Sequence, residues 1–198
     1  MRACIQYHNA EKLGWVPFGE RPFLQTQLAV FTRRPAARHA GGATVYLIVR
    51  LGTPARYYLW DAFTADHVEP HDGGHRIWGD GRQLVPPARL EGEAFEAFRR
   101  ACANFVGFRR VDDHPYRAEL ARLAASEARE LGAEAEAFCD MLVKWRPSSG
   151  DPYYHRGCVR AARGDHAGAA LDFSEAVRLG TEYAARASAA HAEALARR

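Results

Sequence analysis

The sequence predicts an α+β fold: a small curved β-barrel followed by an α-helical module. Three observations predict it. From residue 1 to about 90 the apolar residues alternate with the period of strands. After Pro86-Pro87 the period becomes helical. Near the C-terminus two small-residue-rich amphipathic segments flank Arg163-Gly164-Asp165 as a helical hairpin. The expected domains are residues 1–111 and 112–198.

The strands come first. Ala3–Tyr7 is short and apolar, and Leu24–Thr32 is rich in β-formers. Thr44–Leu51 has the apolar run of a buried strand, and Arg56–Thr64 is dense in aromatics. Arg34-Pro35, Gly41-Gly42, Gly52-Thr53-Pro54, Asp72-Gly73-Gly74 and Gly79-Asp80-Gly81 supply turns between them. His75–Trp78 and Gln83–Val85 are candidate short strands. Several short strands at this spacing suit a barrel or a curved sheet.

The helices follow. Glu91–Val106 places Ala94, Phe95, Phe98, Cys102, Phe105 and Val106 on one face, and this helix is expected to cover the open side of the barrel. His114-Pro115 marks a boundary. Residues 116–146 read as two helices broken near Leu131-Gly132. Tyr153–Ala162 and His166–Leu179 form the hairpin, and an Ala-rich helix runs from about Thr181.

Charge differs between the halves. Residues 1–111 hold 15 Lys+Arg against 10 Asp+Glu, and residues 112–198 hold 12 against 14. A mildly basic first half suits a polyanionic partner such as a nucleic acid, though the Arg and Ala bias of the whole chain accounts for part of it. The four cysteines, Cys4, Cys102, Cys139 and Cys158, lack metal-knuckle spacing and read as buried thiols. No apolar run reaches the roughly 18 residues of a membrane span, and the first residues lack a signal-peptide core, so a cytoplasmic protein without membrane contact is expected.

The chain carries no Gly-rich phosphate loop, G-x-S-x-G elbow or H-E-x-x-H motif. The expectation is a binding protein with no enzymatic activity and no cofactor. His67, His71 and His75, beside Asp66, Glu69 and Asp72, have helical metal-ligand spacing, but Pro70 and Gly73-Gly74 predict a solvated loop. Aromatics concentrate in residues 1–85, including Trp15, Trp60 and Trp78. Strict alternation sets Tyr58, Trp60 and Ala62 on one face of their strand and Tyr57, Leu59, Asp61 and Phe63 on the other. A Trp beside an Asp can form a base pocket: the indole stacks and the carboxylate accepts from an amino group such as cytosine's. Arg33, Arg34, Arg38, Arg109 and Arg110 are the expected phosphate contacts.

Tyr7-His8-Asn9 with Gly14-Trp15, together with the strand pair Thr44–Leu51 and Tyr57–Asp66, resembles the PUA-like superfamily of EVE, YTH, ASCH and SRA-type modified-base readers. The closest likeness is to N-terminal modules of modification-dependent restriction proteins. The resemblance covers residues 1–110 or so. It implies a curved barrel with a pocket at one end, Tyr7, His8, Asn9 and Trp15 lining it, and Trp60 with Asp61 facing them.

The helical hairpin resembles a tetratricopeptide repeat. Gly157, Gly164-Asp165, Ala169, Phe173 and Ala176 match its small, turn and aromatic positions, and Ala135 matches in a degenerate preceding unit. Arg160 and Thr181 depart from it, standing where an aromatic and a proline are usual. The expected function is therefore recognition of a modified base in DNA, with 5-methylcytosine the best guess, by flipping it into an aromatic pocket. The helical module would bind a protein partner or mediate self-association. The alternatives are an interaction adaptor that binds no nucleic acid, and an RNA-binding protein.

Overall fold

The computed structural model describes residues 2–13, 17, 27–103, 107–125, 133–181 and 183–197. The chain divides into two compact units, Met1–Ala128 and Arg129–Arg198. This cut falls after residues 112–125, which the sequence assigns to the helical module, because Leu120 is fully buried in the core of the first unit.

The first unit is mixed α/β, built on a curled half-barrel sheet. Its strands are β1 (Ala3–Asn9), β2 (Gln27–Thr32), β3 (Thr44–Leu51), β4 (Arg56–Thr64), β5 (His67–His71), β6 (Gly74–Leu90) and β7 (Phe108–Arg110). Its helices are α1 (Ala10–Leu13), α2 (Glu93–Ala101) and α3 (Arg117–Ala125), with a 3-10 turn at Pro35–His39. The strand order is β2-β6-β4-β3-β1-β7, and β5 pairs with β6. The pair β1 and β3 runs parallel, so a long crossover must join them, and residues 10–43 supply it. The other pairings are antiparallel.

β3 and β4 occupy the ranges their patterning predicts. β6 does not. His75–Trp78 and Gln83–Val85 are one strand that runs through Pro86-Pro87 to Leu90. Its first half pairs with β2 and β5, and its second with β4. Glycine makes the handover possible, since a Cβ on Gly79 would lie 1.8 Å from the Thr64 carbonyl oxygen. The prolines are tolerated because Leu84–Pro87 is a bulge: the ladder jumps from Asp61↔Gln83 to Leu59↔Ala88.

The His67–His75 segment is likewise a hairpin rather than a loop, closed by Asp72 and Gly73 at positive φ (43° and 68°). Its register puts His67 and His71 on one face and His75 on the other, so the three imidazoles do not converge.

One face of the sheet packs on α2 and α3. Ala3, Ile5, Tyr46, Ile48, Leu59, Leu84 and Leu90 meet Phe95, Phe98, Cys102 and Leu120 there. Phe98 stacks on Tyr116 at 4.8 Å. Ala94 is exposed, contrary to the helical-face expectation, and Phe105 and Val106 lie outside the described residues.

The second unit is helical: α4 (Ala133–Trp145), α5 (Gly150–Ala162), α6 (His166–Leu179) and α7 (Ala184–Ala196). α5 begins before Tyr153 and takes Pro152 into its first turn, where a missing N–H breaks no helical bond. Asp165 caps α6 by accepting from the Gly168 N–H at 2.9 Å. Phe173 packs against Gly157, where a Cβ would meet the ring at 2.7 Å. Ala169, Ala170, Ala176, Tyr154, Tyr183, Ala187 and Ala194 complete the core. Among the described residues, no helix is long and apolar enough to cross a membrane.

Candidate functional site

The site grows from a bulge in β4. Opposite β3 the register passes from Leu47↔Asp61 to Ile48↔Leu59, so Trp60 is the extra residue in that ladder; on the other side it faces the Leu84–Pro87 bulge of β6. A bulge resets the parity of the strand. Leu59 and Ala62 therefore share the α2 face, while Tyr58, Asp61 and Phe63 take the opposite, inner face with Val45, Leu47 and Val49. Strict alternation, which groups Asp61 with Leu59, fails at this point.

One row now crosses the inner face in register: Gln83 on β6, Asp61 on β4, Leu47 on β3, Gln6 on β1 and Phe108 on β7. Asp61 is 6% exposed, and its Oδ1 has no hydrogen-bond partner among the described residues. Burial pushes its carboxyl well above the usual carboxylate range. Burial favours its protonated form, which both donates from O–H and accepts at C=O. Gln6 repeats the pattern. Its Nε2 donates to the Tyr7 carbonyl at 3.1 Å, but its buried Oε1 meets no donor among the described residues. Buried polar atoms without partners cost about 1–3 kcal/mol each, so two on one row need a reason beyond packing.

The curl of the sheet brings its distant strands together at this row. Gln6 of β1 lines a cavity of about 470 Å³ with Phe31 and Thr32 of β2, then Arg33, Arg34, Pro35 and Gly107. β1 and β2 are not neighbours in the sheet, so this cavity is the seam of the half-barrel.

The expected pocket residues separate. His8 lies on the inner face, 7% exposed, on the row of Val49 and Tyr58. Tyr7 points to the other face and packs on the α2 core. Asn9 caps α1, accepting from the Lys12 N–H at 3.1 Å and from Arg50 Nη1 at 3.4 Å. Trp15 lies outside the described residues. Trp60 is fully buried core and offers no open face for stacking.

Of the expected phosphate contacts, Arg33 and Arg34 line the seam. Arg33 also pairs loosely with Asp72 at 3.5 Å. Arg38 Nε donates to His39 Nε2 at 2.8 Å. Arg109 and Arg110 line a different cavity of about 410 Å³ that includes Asp112 and Asp113, and Arg110 Nε donates to Asp112 at 2.9 Å. Sequence reasoning missed Gln6, Gln83, Thr32 and Gly107. The one available signal was an amide interrupting the apolar Ala3–Tyr7 strand.

The cysteines hold no disulfide. Cys4, Cys102 and Cys139 are buried and Cys158 half-buried, and burial raises the thiol pKa of each. The chain matches no family model, no curated protein and no solved structure.

Proposed function

We propose that the first unit reads a modified base in DNA, with 5-methylcytosine the favoured target, by taking the extruded base onto the inner face beside Asp61. The observation that carries this reading is the buried Asp61 Oδ1, which has no hydrogen-bond partner among the described residues. In its protonated form, which burial favours, the carboxyl complements the cytosine edge: its O–H donates to N3 and its carbonyl accepts from the N4 amino group. Gln6 Oε1, on the same row, offers a second acceptor. Flipping is what would bring the base to such a buried group. The methyl adds about 0.8 kcal/mol of apolar burial, so discrimination is modest.

With no catalytic motif assigned, the protein acts as a cytoplasmic sensor rather than an enzyme. Its helical unit, tetratricopeptide-like in sequence, serves a protein partner, and the exposed Leu171 and Leu195 support that role.

The test is a salt-titrated mobility shift on unmodified and methylated duplexes beside RNA of the same sequence. Methylated DNA should bind best, with affinity falling steeply in salt. Asp61→Asn, which keeps one donor and one acceptor, should retain binding, and Asp61→Leu should lose it. Equal binding by Asp61→Leu rules out the base site. A preference for RNA moves the reading to the RNA-binding alternative, and no binding at low salt leaves the adaptor.

A further inference from the structure

The seam cavity has a polarity of its own. Arg34 is exposed and reaches no carboxylate among the described residues. Its place is set by Gly107, whose φ is +71°. A Cβ on Gly107 would meet Arg34 Nε at 2.9 Å and Cγ at 3.1 Å, so the arginine lies across a glycine that leaves it room. The backbone is held from the other side, where the Arg34 N–H donates to Thr32 Oγ1 at 3.2 Å. Arg33, loosely paired with Asp72 at 3.5 Å, adds a second guanidinium, and among the described residues no acidic one lines the cavity. Gln6 Oε1 is a buried acceptor in the same lining. The wall thus presents cations at the rim and an acceptor toward the inner face. A ligand that complements this wall would carry an anion at one end and an N–H or O–H donor at the other.

Gln6 and Asp61 are two strand spacings apart on one row, about 10 Å between their Cα atoms. That is the scale of one nucleotide, from its phosphate to the far edge of its base. We infer that the seam is the phosphate seat of the base site: Arg34, with Arg33, binds the phosphate of the nucleotide whose base reaches Asp61. This rests on the base-reading proposal for its second half only, because a phosphate seat can exist without a base site.

The experiment titrates the full chain, by calorimetry, with three probes: inorganic phosphate, 5-methyl-2′-deoxycytidine, and its 5′-monophosphate. Wild type, Arg34→Ala and Asp61→Leu are compared. The monophosphate should bind about tenfold or more tighter than the nucleoside, as a charge-assisted contact predicts, and Arg34→Ala should abolish that gap. Gly107→Ala, which keeps every polar group of the seat but displaces Arg34, should narrow the gap too, with a thermal melt verifying that the chain is folded. Equal binding of nucleoside and monophosphate, unchanged in Arg34→Ala, overturns the seat and leaves the base site standing. Arg34-dependent binding of phosphate, with no nucleoside binding, supports the seat and removes the base site. Failure of all three probes to bind overturns both.

Discussion

Each unit buries one aspartate, and the two are treated in opposite ways. Asp172 in the helical unit is 3% exposed and saturated: Arg156 donates to it at 2.9 and 2.7 Å, and Arg160 at 3.0 Å. The two arginines are tied in turn to Asp140 at 2.7 Å and Glu136 at 2.9 Å. Asp61 in the sheet unit is nearly as buried and has no ion pair among the described residues, with one oxygen unmatched. A charge buried with its partners contributes to the scaffold. A polar group buried without a partner among the described residues lowers stability there and calls for a partner beyond them. The contrast locates the candidate site where neither motif nor family does.

Removing one side of the saturated pair should have the largest effect. Asp172→Ala removes three charge-assisted bonds and leaves Arg156 to Asp140 and Arg160 to Glu136, and should cost about 3 kcal/mol, read as a lower denaturation midpoint of the helical unit. A loss under about 1 kcal/mol would mean that solvent replaces the pair and that the contrast between the two aspartates is empty.

The next effect is pH. Burial lowers the His155 pKa from 6.5 to about 3. The unfolded chain binds a proton there that the folded chain refuses, so the helical unit keeps this stability above about pH 6.5. It should lose on the order of a few kcal/mol as pH falls toward 3, and His155→Phe should flatten that fall.

Asp61 should act with the opposite sign. Its folded pKa is raised above 3.8, so the folded chain holds the proton that the unfolded chain releases. Stability of the sheet unit therefore declines as pH rises from about 4 toward the folded pKa. Asp61→Asn should remove this slope. Asp61→Leu should raise the melting midpoint by the equivalent of about 1–3 kcal/mol while losing base binding. A destabilised Asp61→Leu protein would show that the carboxyl is part of the packing after all.

The smallest expected change is Arg34→Ala: stability unaltered, and the log–log salt slope of DNA binding reduced by about 1.

Local pattern carried much of the fold. The apolar run at Thr44–Leu51 and the aromatic run at Arg56–Thr64 set β3 and β4, because side chains must alternate across a pleated strand. The small residues Gly157 and Ala169 with Phe173 marked the α5–α6 hairpin, because helices approach closely only where side chains are short. Two departures from the repeat pattern have local reasons visible only in three dimensions. Arg160 replaces an aromatic because Asp172 and Glu136 accept its bonds, and the Thr181 hydroxyl donates to Asp151 at 2.6 Å.

What the sequence determined by itself is thus the period of each segment and the presence of an acid and arginines in the β-rich half. Which face Asp61 occupies was decided by the tertiary structure, because one extra residue at Trp60 reverses the alternation and only the pairing with β3 reveals it. The meeting of Gln6 with Arg34 and Gly107 was decided there too: they are far apart in the chain, and only the curl of the sheet brings β1 to β2.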